Sequence, residues 1–120
     1  MSETAEPTLI AAREGLAGTL LMNRPKALNA LTLEMIRAFA QAIDAWKNDA
    51  SVKLVVLEGA GGRAFCAGGD VRAVREAAIA GDAAAVEAFF SEEYAVNTGI
   101  ATFPKPWVSL IDGVCMGGGI

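Results

Sequence analysis

The sequence predicts an α/β fold, because apolar strand-like runs alternate with helix-like segments along the chain. Residues 52–58 (VKLVVLE) form a nearly continuous apolar run, which is typical of a parallel strand buried on both faces. Residues 33–46 instead carry apolar side chains at the spacing of one helical face. The chain has 120 residues, a length that allows one domain at most. Hydrophobic residues make up 53% of it, which is enough for a hydrophobic core.

The chain begins with two predicted strands, at 8–12 and 16–22, which are joined near Gly15. A glycine in so short a connection is typical of a tight turn between strands. A loop at 23–26 follows, and we expect Pro25 to keep it non-helical.

The first helix is predicted to begin after Thr32, which can act as its N-cap, and it carries Glu34 in its first turn. The polar residues 47–51 end this helix. Its predicted apolar stripe consists of Leu33, Ile36, Phe39, Ala40, Ile43 and Trp46.

The middle of the chain holds the buried strand and a second helix. The strand at 52–58 ends at the glycine-rich stretch 59–62, and 64–66 is predicted as a short extended segment. Asp70 follows and is a good N-cap for a helix over 71–80.

A third helix and two short strands complete the predicted elements. Asp82 caps the helix, which we expect to run to about 98–101. Lys105 lies in a loop between two prolines. Residues 107–111 form an apolar strand, and 114–116 lead into the last glycine cluster.

Composition and charge exclude several classes of function. The chain has ten Lys and Arg residues and fourteen Asp and Glu residues, for a net charge of −4. This negative charge argues against a nucleic-acid partner. No stretch approaches the roughly 18 uncharged apolar residues of a membrane span, so we expect no membrane partner. Residues 1–7 lack the pattern of a signal or transit peptide. We therefore expect them to be a disordered tail and the protein to be cytoplasmic.

The titratable side chains exclude further kinds of site. The chain has no histidine, which removes a Ser-His-Asp triad, a Cys-His pair and the commonest metal ligand. Cys66 and Cys115 are far apart in sequence, and neither belongs to a CxxC motif. We expect no metal site, and both thiols are interpreted as small buried apolar groups.

Two glycine-rich stretches, 66–70 (CAGGD) and 116–120 (MGGGI), share one layout. In each, an apolar strand enters a glycine cluster where a helix begins or is expected. The first backbone N–H groups of a helix have no partner within it, and glycine lets a ligand approach them closely. If the two stretches converge, one N–H from each would form an oxyanion hole. Glycines that follow strands are usually ordinary turns, and spacing alone leaves both interpretations open.

Several motifs, in this order and spacing, resemble those of the enoyl-CoA hydratase/isomerase (crotonase) superfamily. The resemblance covers about residues 16–120 and rests on NRP at 23–25, ALNAL at 27–31, FCAGGD at 65–70, PKP at 104–106, DG at 112–113 and MGGG at 116–119. Within the superfamily, the sequence is most similar to the 3-hydroxyisobutyryl-CoA hydrolase branch. The residues that carry this preference are Gly69, the stretch 89–94 (FFSEEY) and Met116. An enoyl-CoA hydratase or isomerase is the alternative.

This resemblance implies a spiral of repeated ββα units, of which residues 1–120 would be the N-terminal part of a single crotonase-like domain. It implies hydrolysis of an acyl-CoA thioester, with CoA entering as part of the substrate and no other cofactor. Members often assemble as trimers, so the resemblance also implies a homo-oligomer. The superfamily's acid and base carboxylates follow the triple glycine and would lie beyond Ile120. We therefore expect a longer protein, and no turnover by this piece alone.

The resemblance assigns roles to residues at both ends of the substrate. The backbone N–H groups of Gly69 and Gly118 would hold the thioester carbonyl. Lys26, Leu28 and Ala30 would lie against the nucleotide and pantetheine of CoA. Other residues implied to line the acyl-thioester pocket are Ala67, Gly68, Asp70, Val71 and Arg72.

Glu93 is implied to contact the substrate, and the residue pattern singles it out independently. It lies one helical turn after Phe89 and one turn before Asn97, on the apolar side of the third helix. A carboxylate there must be paired, hydrogen-bonded or shifted in pKa. A salt-bridged structural glutamate is the alternative, and Glu92 is the weaker candidate for the substrate contact.

Two other classes of protein compete with this interpretation. Residues 59–64 (GAGGRA) follow a strand and fit the dinucleotide-binding pattern G-x-G-x-x-A, but 65–69 interrupt the long helix that this motif requires. The second alternative is a truncated member of the superfamily that binds or assembles without catalysis.

Overall fold

The computed structural model describes residues 7–116. These residues form six strands and three α-helices in alternating order, which confirms the predicted α/β class. Residues 1–6 of the predicted tail at 1–7, and the glycines at 117–119, lie outside the described residues. The elements are β1 Leu9–Glu14, β2 Ala17–Met22, α1 Leu33–Trp46, β3 Leu54–Gly59, β4 Ala64–Cys66, α2 Val71–Ile79, α3 Ala83–Ala101, β5 Trp107–Ser109 and β6 Val114–Cys115.

Four strands form one sheet in the order β1-β2-β3-β5. β1 and β2 pair antiparallel through a tight turn at Gly15, whose φ of 61° suits a glycine. β3 pairs parallel with both β2 and β5, and β4 and β6 form a separate parallel pair. The strands of each parallel pair are separated by helical segments, as parallel strands require.

The central strand β3 is less enclosed than its apolar sequence suggests. Val55 and Leu57 are buried, but Leu54 and Val56 are half-buried and Glu58 is exposed. The prediction of burial on both faces is therefore wrong for the described residues, because side chains alternate between the faces of a strand and only one face meets the core here.

Helix α1 begins as predicted, with the Met35 N–H donating to Thr32 Oγ1 at 3.2 Å. Its buried face comprises Met35, Ile36, Phe39, Ala42, Ile43 and Trp46. The predicted stripe was wrong at Ala40, which is exposed, and at Leu33, which is half-buried. Leu33 and Ala40 lie along one edge of the predicted apolar face. The buried face of α1 instead extends to the opposite edge, where Met35 and Ala42 lie.

The predicted non-helical loop at 23–26 is also wrong in part, because Pro25–Ala27 forms a short 3-10 helix. Proline is tolerated at the first helical position, where its missing N–H has no intrahelical acceptor and its fixed φ suits the helix. β5 is shorter than predicted and ends at Ser109. Asp70 and Asp82 cap α2 and α3 as predicted, and their carboxylates accept from the N–H groups of Arg72 and Ala85.

The hydrophobic core lies between the four-stranded sheet, helices α1 and α3, and strand β4. β4 is wholly buried, and the sheet contributes Leu20, Met22 and Val55. Phe89 and Val96 of α3 complete the core next to the glycine stretch at 66–70. The site described next therefore rests on packed elements.

Candidate active site

Two predicted substrate-binding segments lie side by side and share backbone hydrogen bonds. The Ala67 N–H donates to the Leu28 carbonyl at 3.0 Å, and the Leu31 N–H donates to the Gly68 carbonyl at 2.8 Å. The Asp70 N–H donates to the Leu31 carbonyl at 2.7 Å. The segment predicted to contact CoA and the first glycine stretch therefore form one continuous surface.

Gly69 occupies the central position of this pairing. Leu31 bonds to the residues on either side of it, so the Gly69 N–H points away from Leu31. No described residue accepts a hydrogen bond from this N–H. Gly68 makes the turn before it with a φ of 95°, a conformation that L side chains rarely adopt. Gly69 therefore presents an oriented backbone donor that is available to a ligand.

The surroundings of Gly69 are crowded, and they include Glu93. A β-carbon added at Gly69 would lie 3.3 Å from the Phe89 ring and 3.4 Å from Glu93 Oε2. The structure thus brings together two residues that are 24 positions apart and were singled out separately. Their proximity depends on α3 packing across the glycine stretch.

Glu93 is buried, with 8% of its surface exposed, and it makes no hydrogen bond or ion pair with any described residue. Burial raises the pKa of its carboxyl above the usual value. Glu92, in contrast, is bound through Oε1 to Arg37 Nε at 2.9 Å. Of the two candidates, Glu93 is the one that lacks a partner, and the salt-bridged alternative applies to Glu92.

Asp70 fixes the other side of the glycine stretch through two arginines. Its Oδ2 lies 3.2 Å from Arg72 Nη2 and 3.1 Å from Arg24 Nη2. Hydrogen bonds from Arg72, followed by the Arg24 guanidinium, lower the pKa of Asp70 to about 2 despite its partial burial. Arg24 also donates to the Ala30 carbonyl at 2.7 Å. Arg24 is thus held within the protein by Asp70 and the Ala30 carbonyl.

Asn29 carries a role that the sequence analysis did not assign. It is fully buried, and its Oδ1 accepts from the Arg24 N–H at 2.9 Å. Its Nδ2 donates to the carbonyls of Ala60 and Ala64, at 3.0 and 2.9 Å. Its φ of 57° is positive, a conformation that asparagine tolerates better than most residues. Asn29 therefore ties the 28–31 segment to the end of β3 and the start of β4.

The remaining predicted residues lie at the surface of the same region. Lys26, Val71 and Arg72 are exposed, whereas Leu28 and Ala30 are half-buried. Exposure of these side chains leaves them accessible to a ligand.

A cavity of about 490 Å³ opens beneath α3, and Glu93 lines it. Its walls are mainly apolar, and the indole Nε1 of Trp107 is buried there without a hydrogen-bond partner among residues 7–116. The lining residues are Met22, Leu31, Ile36, Phe39, Leu57, Phe65, Cys66, Glu93, Val96, Asn97, Ile100, Ala101, Trp107 and Ser109.

Gly118, the second predicted donor, lies outside the described residues. The strand that leads toward it is described, however. β6 runs parallel to β4, with Cys115 opposite Cys66, and the Met116 N–H donates to the Cys66 carbonyl at 3.0 Å. The strands that precede the two glycine clusters therefore end next to each other and run in the same direction.

Within the described part of the chain, no group of three or more His, Cys, Asp and Glu side chains could hold a metal ion. No helix in that part is both long enough and apolar enough to cross a membrane.

Comparison with known proteins identifies the family. The family model for enoyl-CoA hydratase/isomerase matches residues 17–120, which is most of the chain. The chain belongs to the enoyl-CoA hydratase/isomerase family. The family membership confirms the predicted resemblance, and the glycine stretch described above lies within the matched region.

Curated relatives in this family include proteins named "3-hydroxyisobutyryl-CoA hydrolase, mitochondrial". The one from Xenopus tropicalis is 53% identical over 108 residues, which cover 90% of this chain and 28% of the relative. The one from Danio rerio is 48% identical over 120 residues, covering 100% of this chain and 31% of the relative. The chain thus spans about three-tenths of these relatives. Because their names include the word mitochondrial, the cytoplasmic location stays a prediction.

Solved structures of the family share this fold. An enoyl-CoA hydratase from Rhodobacter sphaeroides matches with a TM-score of 0.90 and 44% identity, over 93% of this chain and 33% of that chain. A carnitinyl-CoA dehydratase from Mycobacterium thermoresistibile matches with a TM-score of 0.89 and 46% identity, over 95% of this chain and 33% of that chain. The predicted crotonase-like fold class is confirmed, and the match covers the N-terminal part of those chains.

Proposed function

We propose that this chain provides the thioester-binding half of an acyl-CoA hydrolase that acts on a 3-hydroxyacyl-CoA such as 3-hydroxyisobutyryl-CoA. The observation that carries the proposal is the Gly69 N–H, which has no acceptor among residues 7–116 and lies beside the carboxyl of Glu93. The names of the curated relatives support the choice of reaction and substrate.

In this proposal, the Gly69 N–H donates to the thioester carbonyl oxygen. Attack at the carbonyl carbon places negative charge on that oxygen, and an oriented backbone donor stabilises the charge without reorganising. One such donor typically contributes about 10²–10³-fold in rate. Gly118 would supply the second donor, which the parallel course of β4 and β6 supports.

The rest of the surface would hold the two ends of the substrate. Ala67, Gly68, Asp70, Val71 and Arg72 would surround the thioester, and Lys26, Leu28 and Ala30 would lie along CoA. The shared hydrogen bonds between 28–31 and 67–70 support a single ligand that contacts both segments.

Glu93 would contact the acyl group. The Glu93 carboxyl has no partner among residues 7–116, so a polar group of the substrate that bonds to it adds affinity. A 3-hydroxyl is a suitable group, because it can both donate to and accept from a carboxyl.

The proposal is tested by incubating the full-length protein with 3-hydroxyisobutyryl-CoA and measuring the thiol of released CoA. We expect release that requires the enzyme and saturates with substrate. The matched assay supplies an enoyl-CoA and follows the loss of the conjugated enoyl absorbance. Hydration of the enoyl-CoA without release of CoA would contradict the hydrolase proposal.

Enoyl-CoA hydration is the second candidate, because a solved structure with 44% identity carries the name enoyl-CoA hydratase. The oxyanion donor would then stabilise an enolate instead of a tetrahedral intermediate. Tight binding of acyl-CoA without either reaction would instead favour a member that binds but does not catalyse. A homo-oligomer remains a prediction, which sedimentation of the full-length protein would test.

A further inference from the structure

Cys66 and Cys115 face each other where the two parallel strands β4 and β6 end. They are register partners, although the pairing is irregular between Ala64 and Cys66. Adjacent strands lie about 4.8 Å apart, which falls within the range of about 4.4–6.8 Å between the Cα atoms of a disulfide. Cys66 is fully buried, and the half-buried Cys115 packs against the same core. The spacing of paired strands is therefore compatible with a bond between the two sulfurs once the side chains reorient.

The position of this pair relates it to the proposed site. Cys66 lies three residues before Gly69, and Cys115 lies three residues before Gly118. The Gly68 N–H also donates to Cys66 Sγ at 3.4 Å, so the thiol contacts the turn that orients Gly69. A change at this pair would therefore reach the turn that orients Gly69.

We propose that Cys66 and Cys115 form a reversible disulfide that links the ends of β4 and β6 and lowers the affinity for acyl-CoA. The oxidant is a low-molecular-weight disulfide, such as oxidised glutathione. Disulfide formation rests on the strand pairing alone, whereas its effect on affinity rests on the proposed function.

The exchange proceeds in two balanced steps. The Cys115 thiolate attacks one sulfur of the small disulfide, forming a mixed disulfide and releasing one small thiol. The Cys66 thiolate then attacks the Cys115 sulfur and releases the second small thiol. The protein loses two electrons and two protons, and the small disulfide takes up both as it becomes two thiols.

The order of these steps follows from the environment of each thiol. Cys115 is half-buried among residues 7–116 and Cys66 is fully buried, so Cys115 is the more accessible of the two thiols. Burial raises the pKa of the Cys66 thiol, and the nearby Cys115 adds to this effect, so Cys66 is slow to react first. In the second step Cys66 turns toward Cys115, which weakens its contact with the Gly68 N–H.

Peptide mapping tests the bond. The reduced full-length protein is incubated with oxidised glutathione, its remaining thiols are alkylated under denaturing conditions, and its peptides are analysed by mass spectrometry. We expect the peptides containing Cys66 and Cys115 to be joined, and to separate after reduction. In Cys115→Ser the joined peptide is absent. Alkylation of both thiols after oxidation of the wild-type protein would overturn the proposal.

Binding of a non-hydrolysable thioether analogue of an acyl-CoA tests the effect. We expect the oxidised protein to bind it about tenfold more weakly and reduction to restore the affinity. Cys115→Ser should bind like the reduced wild type, with or without the oxidant. A cross-linked protein with unchanged affinity would overturn the effect. If the reduced protein does not bind the analogue, the proposed function fails, and the peptide map alone decides whether the disulfide forms.

Discussion

At the scale of single residues, two neighbouring groups of the site are left without partners by the fold. The Gly69 N–H has no acceptor, and Glu93 has no donor, among the described residues. Gly69 is half-buried, and neither carboxyl oxygen of Glu93 is among the fully buried unpartnered atoms of residues 7–116, so both groups are accessible to a ligand.

The replacement Glu93→Gln tests the burial of this carboxyl. Because burial raises its pKa, the folded state favours the neutral acid. The contribution of Glu93 to the free energy of unfolding is therefore most favourable at low pH, where the carboxyl is protonated. That contribution is lost as the pH rises through the pKa of the folded state. We expect Glu93→Gln to raise the free energy of unfolding by about 1 kcal/mol at pH 8 and to change it little at pH 4. Thermal unfolding measured at each pH checks this.

The matched control is Glu92→Gln. Arg37 lowers the pKa of Glu92, so this replacement should be neutral or slightly destabilising at pH 8. If both replacements changed the free energy of unfolding equally at pH 8, the prediction that burial makes the Glu93 carboxylate unfavourable would be contradicted. In the binding assay, only Glu93→Gln should weaken the affinity for a 3-hydroxyacyl-CoA.

The replacement Asn29→Ala tests the attachment of the 28–31 segment. It leaves three backbone groups without their partners, those of Arg24, Ala60 and Ala64. We expect a loss of about 3 kcal/mol in the free energy of unfolding, measured with denaturant. Asn23→Ala removes one bond, from Nδ2 to the Pro7 carbonyl, and should cost less than about 1 kcal/mol.

At the scale of elements, the site is an edge contact between two loops, over which helix α3 packs. Phe89 and Glu93 of α3 lie against Gly69, so the helix limits how large residue 69 can be. The φ of Gly69 is not positive, which means that the backbone itself would accept a side chain there. The requirement for glycine is therefore one of space.

Gly69→Ala should consequently reduce activity more than stability. Its β-carbon would meet Phe89 at 3.3 Å and displace the donor by a few tenths of an ångström. We expect kcat/KM for the thioester to fall about 100-fold. Gly99→Ala introduces the same crowding, 3.3 Å from Ile43 Cδ1, at a position that has no part in the site. If both variants lose the same activity, the loss reflects crowding in general.

Local chemistry made several elements predictable from the sequence. The caps at Thr32, Asp70 and Asp82 formed as predicted, because their hydrogen bonds span only two or three residues. Long-range contacts were not predictable in this way. The carbonyls bound by Asn29 lie 31 and 35 positions away, so no local pattern indicated its role. The choice between Ala40 and Met35 likewise depended on which flank of α1 meets the core.

The candidate site was predictable only through resemblance. Residue patterns singled out the glycine stretch and Glu93 separately, and helical periodicity placed Glu93 on the apolar side of α3. Neither pattern indicated that they meet, because their contact depends on how α3 crosses the end of β4. The role of Gly118 stays a prediction.

At the scale of the whole molecule, a band of apolar side chains near the last strands is exposed. Val108, Leu110, Ile111 and Met116 have 40–59% of their surfaces accessible. Exposed apolar groups that are close together mark surfaces that bind other protein. This band is a candidate contact for further residues of a longer chain or for another subunit.

We expect residues 1–120 alone to catalyse no thioester hydrolysis, because the family resemblance implies that the acid and base carboxylates follow the triple glycine. Purified 1–120 and the full-length protein are compared in the assay for released CoA. Activity of the 120-residue piece above the uncatalysed rate would contradict the prediction. Far-UV circular dichroism of the same sample establishes whether the piece is folded.

The bridge between Leu31 and Gly69 has a consequence for insertions and deletions. Main-chain atoms alone aim the Gly69 amide, so most replacements at position 31 leave that aim unchanged. Inserting or deleting one residue within 28–31 would place a different residue opposite Gly69 and disrupt the two bonds, to the Gly68 carbonyl and from the Asp70 N–H, that fix the direction of the amide. Length in this short segment is therefore constrained more strictly than side-chain identity.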